Sequence, residues 1–411
     1  MSPADASLDL DWVRSRFPAL QGDWVLMDNA GGTVPVDAVA ERIAEYLRRW
    51  PVQLGASYGP SVAATELQAE ARSRLAGLFA RGGGAVPAPG QVAIGASSTS
   101  LFSRLARALA TRFSAGDEII VTEADHEANI GPWLRLQSQG VRIRWWRLQR
   151  DGMNLDPGDL EELLGEKTKL VCFTHASNLL GEAVDVAAVA ARARAAGALT
   201  CVDGVAYAPH RALAVADWGV DWYGFSLYKV FGPHCALLYS SADAAALLDN
   251  LNHEWMQPQD AAGRLEPGAF PYELAWGAAA VPDYLDALAE HHGREAFALI
   301  GTHEGALTAR VLDWLSTQAG VRVIGSPRAG PRRLPTVSFV AEGRQPADIV
   351  HAVDRAGIGI RHGHFYAPRL VQAMGLDPAR GVVRISLAHY NSAQEIEGLL
   401  AALEQALERV R

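Results

Sequence analysis

A lysine set between aromatic residues and a glycine turn is the part of this 411-residue sequence best placed for covalent chemistry. In WYGFSLYKVFGP an apolar run leads into Ser226, Tyr228 and Lys229, and Phe231-Gly232-Pro233 stops regular structure from continuing. Such a lysine sits at a strand end and is partly desolvated. Desolvation favours the neutral amine, the form that attacks a carbonyl to make a Schiff base. Asp203, 26 residues upstream in LTCVDGVAYAPH, closes another apolar run. An acid there is what a pyridinium nitrogen needs as a partner.

These two are not alone at strand ends. EIIVTEADH, KLVCFTHASN, LTCVD and WYGFSLYK put His126, Asn178, Asp203 and Lys229 each just beyond a predicted strand. Strands alternating with helical runs argue a mostly parallel sheet covered on both faces, with its site at the strands' carboxyl ends. In VAIGASSTSLFSRLARALATRF a strand passes through Ser97–Ser100 into a helix. Free amides and the helix dipole there suit a phosphate, although serine and threonine are also ordinary helix caps. Nearer the start, helical patterns cover 10–17, 36–50 and 62–79, and the Asn29-Ala30-Gly31-Gly32 turn permits close backbone approach.

Beyond Ala279 the pattern changes. A long helical region over 281–315 precedes strands VRVIG, LPTVSFVAE, IGIRHG and VVRISLAHY and a final helix, which suggests a smaller α/β unit. The expected division is a large domain over 31–280, with 1–30 and 281–411 forming the small one. Composition excludes other classes. A net charge of −9 without a basic stripe disfavours nucleic acid. The first residues lack a signal-peptide layout and no apolar run reaches membrane-spanning length, so a cytoplasmic protein with no membrane partner is expected. Cys172, Cys201 and Cys235 lie in or beside predicted strands without CxxC spacing, which favours core thiols over disulfides or a zinc site.

The motifs DNAGGTVP, GASSTS, EADHEANIGPW, THASNLLG, VDGVAYAPH, FSLYKVFGP, RHGHFYAP and VRISLAHYN run in this order over nearly the whole chain. Together they resemble the class V aminotransferase family of fold-type I pyridoxal phosphate enzymes, nearest the cysteine desulfurases and selenocysteine lyases. The resemblance implies an α/β fold-type I architecture: a large domain with a mostly parallel seven-stranded sheet, a smaller C-terminal α/β domain, and a homodimer with shared active sites. It implies pyridoxal 5'-phosphate as cofactor and an amino acid as substrate. Lys229 becomes the Schiff-base lysine and proton shuttle, Asp203 the partner of the ring nitrogen and His126 the residue stacked on the ring. Ser98, Thr99, Ser226 and Tyr228 become phosphate ligands. Arg384 would clamp the substrate carboxylate, Asn178 would lie near the cofactor oxygen or that carboxylate, and Asn29 and Ala30 would lie near the substrate.

Departures from the family pattern limit the function. Tyr366 stands where a desulfurase loop carries its cysteine, and no cysteine falls in the C-terminal region. A phenol neither ionises readily nor forms a persulfide. Tyr228, Ala206 and Ala269 replace a histidine, a glutamine or histidine, and a threonine that the family usually places at the cofactor. Aromatic residues and histidines (Trp133, Trp255, Tyr272, His362, His364, Phe365, Tyr366) are expected in or beside the pocket, with His364 or Tyr366 as acid to a leaving group. The expected reaction is a desulfurase-like C–S lyase without a protein persulfide. Its rivals are aminotransfer, epimerisation, kynureninase-like or decarboxylative-aldolase-like C–C chemistry, and a non-catalytic scaffold.

Overall fold

The computed structural model describes residues 8–149 and 154–409. The expected small domain's residues 1–7, 410 and 411, and residues 150–153 of the large one, lie outside the described residues. Strands are numbered in chain order: β1 Val25–Leu26, β2 Val92–Gly95, β3 Glu118–Thr122, β4 Arg142–Trp146, β5 Thr168–Thr174, β6 Leu199–Asp203, β7 Trp222–Ser226, β8 Ala236–Ser240, β9 Val321–Ile324, β10 Thr336–Ala341, β11 Ile358–Gly359, β12 Arg361–Gly363 and β13 Val382–Ser386.

Seven strands form the large sheet in the order β2-β8-β7-β6-β5-β3-β4. Only β8 runs against its neighbours; β3 to β7 are mutually parallel. Parallel strands buried on both faces require apolar side chains at successive positions, and the sequence supplies them. On β3, Ile120 enters one core with Val171, Val202 and Phe225, while Ile119 and Val121 enter the opposite core with Cys172, Cys201 and Trp222. Helix Ser98–Leu109 covers the second face with Leu101, Phe102, Leu105 and Leu109.

A second sheet, β12-β13-β10-β9, is antiparallel and packs under the helices Ala296–Thr317, Pro346–Asp354 and Ala393–Arg409. The N-terminal segment joins this region through the parallel pair β1–β11. The segment IGIRHG, expected as one strand, is two: Ile358–Gly359 pairs with β1 and Arg361–Gly363 with β13. The helical region expected over 281–315 also divides. Gly293, at φ +61°, ends one helix at His292, and Ala296 begins the next; glycine takes that left-handed conformation at no steric cost. Val281, Leu285, Leu288 and Ile300 from this pair, with Val13 and Phe17, share a core with the large sheet. Side chains from Leu307 onward pack with the small one.

One close approach ties the sheet to its carboxyl rim. Gly204 follows Asp203 directly, and a Cβ there would lie 2.1 Å from Tyr223 Cε1 and 2.4 Å from its Oη. Tyr223 is fully buried and bonded to His175 Nδ1 at 2.8 Å, so it has nowhere to go. Gly204→Ala should destabilise the fold by about 1–3 kcal/mol through overpacking, read as a lower urea midpoint. Tyr223→Phe in the same chain should not restore it, because the ring carbon still clashes.

Candidate active site

Lys229 ends a short 3-10 turn, Leu227–Lys229, that follows β7. The turn is closed by its own backbone: Leu227 N donates to Cys235 O at 2.8 Å, and Val230 N and Gly232 N both donate to Leu227 O. A second clasp comes from Thr33, whose N donates to Tyr228 O at 2.9 Å and whose Oγ1 accepts from Phe231 N at 2.8 Å. Lys229 is half-buried and lines a small cavity. Burial and then the Arg384 guanidinium pull its pKa down to about 8, against the pull of Asp203. Asp203 closes β6 nearly out of solvent, with Val205 N donating to its Oδ1 at 2.9 Å. Burial raises its pKa to about 6 despite that bond and Lys229.

The hydroxyl groups gather opposite. Ser98 and Thr99 begin helix Ser98–Leu109, which Ser97 caps by accepting from Ser100 N. Ser226 Oγ accepts from Ser98 N at 3.2 Å and donates to Ser98 Oγ at 2.9 Å, which ties the end of β7 to the helix start. Tyr228 lines the same cavity with its ring stacked on His234, centroids 4.8 Å apart. His126 stands on another wall. Its Nδ1 accepts from Ala128 N at 3.0 Å, and burial, then the charges of Lys229 and Arg384, lower its pKa to about 3. It is therefore a neutral ring with a fixed orientation.

Arg384, on β13, comes from the small sheet and is 2% exposed. Its Nη2 donates to Asp28 Oδ1 at 2.7 Å, its Nη1 donates to Asn178 O at 3.4 Å, and its guanidinium carbon lies 3.8 Å from the Phe365 ring centroid. Asn178 Nδ2 donates to Phe365 O at 2.9 Å. Tyr366 faces His126 at 5.3 Å between rings, and its N donates to His364 Nδ1 at 3.1 Å. His126, Asn178, Asp203, Lys229, Ser98, Thr99 and Tyr228 thus line one cavity; Arg384, Phe365 and Tyr366 connect to it through Asn178 and His126.

Other residues singled out in the sequence lie elsewhere. Asn29 is buried; its Nδ2 donates to Ser386 O and Asn391 Oδ1, and its Oδ1 accepts from Tyr390 OH. Ala30 N donates to Ser386 Oγ at 2.8 Å. These groups join the N-terminal segment to β13 and do not line the cavity. Trp133 is a core residue bonded to Asn129 Oδ1, Trp255 is 75% exposed, and Tyr272 OH donates to Gln53 Oε1. Thr174, Ala176 and Val205 line the cavity without having been singled out, although each neighbours a motif residue. Asp28, the partner of Arg384, is the residue before Asn29; only the folded chain brings the two together.

The residues fit pyridoxal phosphate. A buried acid, a lysine of lowered pKa and a hydroxyl-bearing helix start surround one space. Asn178 Oδ1 is a buried acceptor with no hydrogen-bond partner among the described residues. The Aminotransferase class-V profile matches residues 25–399. The aminotransferase-like protein FGM3 of Gibberella zeae is 40% identical over 98% of this chain and 100% of its own. A probable cysteine desulfurase of Pseudomonas putida is 30% identical over 97% of this chain and 98% of its own. The crystal structure of the cysteine desulfurase CsdA from Escherichia coli superposes with a TM-score of 0.85 at 25% identity, covering 97% of this chain and 98% of that one. The chain therefore belongs to the class V aminotransferase family and is a pyridoxal phosphate-dependent enzyme of fold type I.

Proposed function

We propose that this enzyme breaks a bond at the β-carbon of an α-amino acid without a protein thiol, as a C–S lyase that eliminates sulfur, selenium or an oxidised sulfur group. The loop between Gly363 and Ala367 carries this reading. Tyr366, 67% exposed, stands where the resemblance puts a desulfurase's cysteine, and all three cysteines of the chain are buried. Burial pushes each thiol up, Cys235 to about 12, so none offers a thiolate.

When bound, pyridoxal phosphate supplies an electron sink that makes loss of the α-proton accessible. Asp203 would hold the proton on the ring nitrogen, and His126, neutral and fixed by Ala128 N, would form a wall of the ring's site. Ser98, Thr99 and Tyr228 would hold the phosphate at the start of helix Ser98–Leu109, with buried Ser226 acting through its bonds to Ser98. Arg384 and Asn178 orient the substrate's carboxylate, which aims its α-hydrogen at Lys229. Lys229 takes that proton, and Tyr366 or His364 gives one to the group leaving the β-carbon. From an S-substituted cysteine and water the products are a thiol, pyruvate and ammonia.

The same proposal takes 31–280 as the cofactor-binding domain and a cytoplasmic homodimer as the working form. Trp255 and Met256, exposed on one loop, give a second copy an apolar surface to cover. No helix among the described residues is long and apolar enough to cross a membrane. A second reading, C–C cleavage of the kynureninase or decarboxylative-aldolase sort, is favoured by the Tyr366–His364 pair, which can protonate carbon or oxygen as well as sulfur. The name of the 40% identical relative does not mention desulfuration.

Three outcomes test the proposal. Purified protein should show a visible absorption band that Lys229→Ala removes, and it should release pyruvate from S-substituted cysteines; turnover of other amino acids alone, without pyruvate, would sink the C–S reading. Tyr366→Phe should lower kcat about 100-fold with little change in KM if the phenol donates the proton, whereas an unchanged kcat shifts the role to His364. Uptake of pyridoxal phosphate by the cofactor-free protein needs the neutral amine, so its rate should rise with pH through about 8 and then level. Arg384→Gln removes a charge that lowers this pKa, so the midpoint should move to higher pH, as stopped-flow absorbance would record.

A further inference from the structure

We infer that Asp28 is the resident counter-ion of Arg384, and that Arg361 takes Asp28 over when a substrate carboxylate arrives; this rests on the reading of Arg384 as the carboxylate site. A guanidinium at 2% exposure cannot stand without an anion, because desolvation of an unpaired charge costs several kcal/mol. Asp28 is that anion. Its Oδ1 lies 2.7 Å from Arg384 Nη2, and its Oδ2 lies 3.6 Å from Arg361 Nη1. Arg361 and Arg384 are direct partners across β12 and β13, so their side chains leave the same face of the sheet. One carboxylate therefore sits between two cations.

The local backbone keeps room for it. A Cβ on Gly31 would lie 2.7 Å from Asp28 Oδ2, so a larger residue there would push the carboxylate out of its seat. Around Arg384, Phe365 covers one face of the guanidinium and Asn178 O accepts from Nη1. Nε has no hydrogen-bond partner among the described residues. A carboxylate binding side-on uses Nε and Nη2, which share one edge of the planar fork. Asp28 holds the second of those two donors. An incoming carboxylate must therefore share or displace it.

Charge balance favours the displacement. Before binding, the cluster has two arginines and one aspartate; afterwards, two carboxylates match two cations. Arg361 is 59% exposed and Asp28 is 29% exposed, so both can shift, whereas Arg384 is fixed by its stack and its strand. Asp28 is thus a positioning residue that keeps Arg384 oriented in the free enzyme, and Arg361 sets how easily it is released.

The test uses holoenzyme and two probes that react with the same cofactor carbonyl: aminooxyacetate, which carries a carboxylate, and methoxyamine, which does not. The ratio of their rate constants, followed by absorbance, measures the advantage conferred by the carboxylate. Arg361→Gln should lower that ratio about fivefold, the lower end of ordinary coupling factors, because Asp28 then has no second partner. Asp28→Asn should raise it by a similar factor and make the reaction with aminooxyacetate more sensitive to sulfate. In the Asp28→Asn background Arg361→Gln should change nothing further, since the two act through one interaction. Equal effects of Arg361→Gln in both backgrounds, or none in the parent, would overturn the handover. If Asp28→Asn fails to load cofactor, the single Arg361→Gln variant decides, since an unchanged ratio refutes the inference. Arg384→Lys separates the two levels: if it leaves the ratio intact, the assignment of Arg384 itself is wrong.

Discussion

Lys229 and Asp203 line one cavity from which water is largely withdrawn, Arg384 is buried next to it behind Asn178, and the rest of the fold is arranged so that the three can stand this close. Each alone would be costly there. Burial dominates all three shifts: Lys229 falls to about 8, helped by Arg384 and opposed by Asp203, Asp203 rises to about 6 although Lys229 opposes it, and His126 beside them stays neutral. A lysine near 8 is neutral often enough to attack a carbonyl. A buried acid that must share its proton gains by pairing with a cationic ring nitrogen. The chemistry attributed to the site thus follows from the same desolvation that makes the site expensive.

Two sheets are needed to assemble it. The large sheet delivers Asp203 and Lys229 from the carboxyl ends of adjacent parallel strands, which its all-apolar interior holds in register. Arg384 comes from β13 in the other sheet. The N-terminal segment bonds to both: Thr33 clasps the lysine turn, while Asn29 and Ala30 bond to Ser386 at the end of β13. Asn29 is thus tied to the end of β13 directly beside Asp28 in the chain.

How much of this could be read from the sequence depended on whether the signal was local. Continuous apolar runs ending in His, Asn, Asp or Lys are local, and they located the large sheet, its rim and most cavity residues. The break at Gly293 was hidden because apolar residues continue on both sides of it, and the division of IGIRHG depends on which partner each half finds. Aromatic content near a motif was a poor guide to direction: Trp133 turned inward to the core and Trp255 outward to solvent. The Asp28–Arg384 pair spans 356 positions and carries no spacing signal at all.

The loop where the resemblance puts a desulfurase's cysteine is fastened to the large sheet's rim. Phe365 and Tyr366 are consecutive residues at φ +50° and +57°, a conformation that costs a side-chain-bearing residue of order 1–3 kcal/mol. Their carbonyls accept from Asn178 Nδ2 and Glu127 N, and Arg369 pairs with Glu127 at 2.7 Å while lying over Trp145. Bonds to the large domain offset the strain and hold the loop against the cavity. A persulfide carrier has to leave the site to reach an acceptor, whereas a proton donor has only to stay where the leaving group departs. The backbone at Tyr366, held with its ring facing His126, suits the second requirement better than the first.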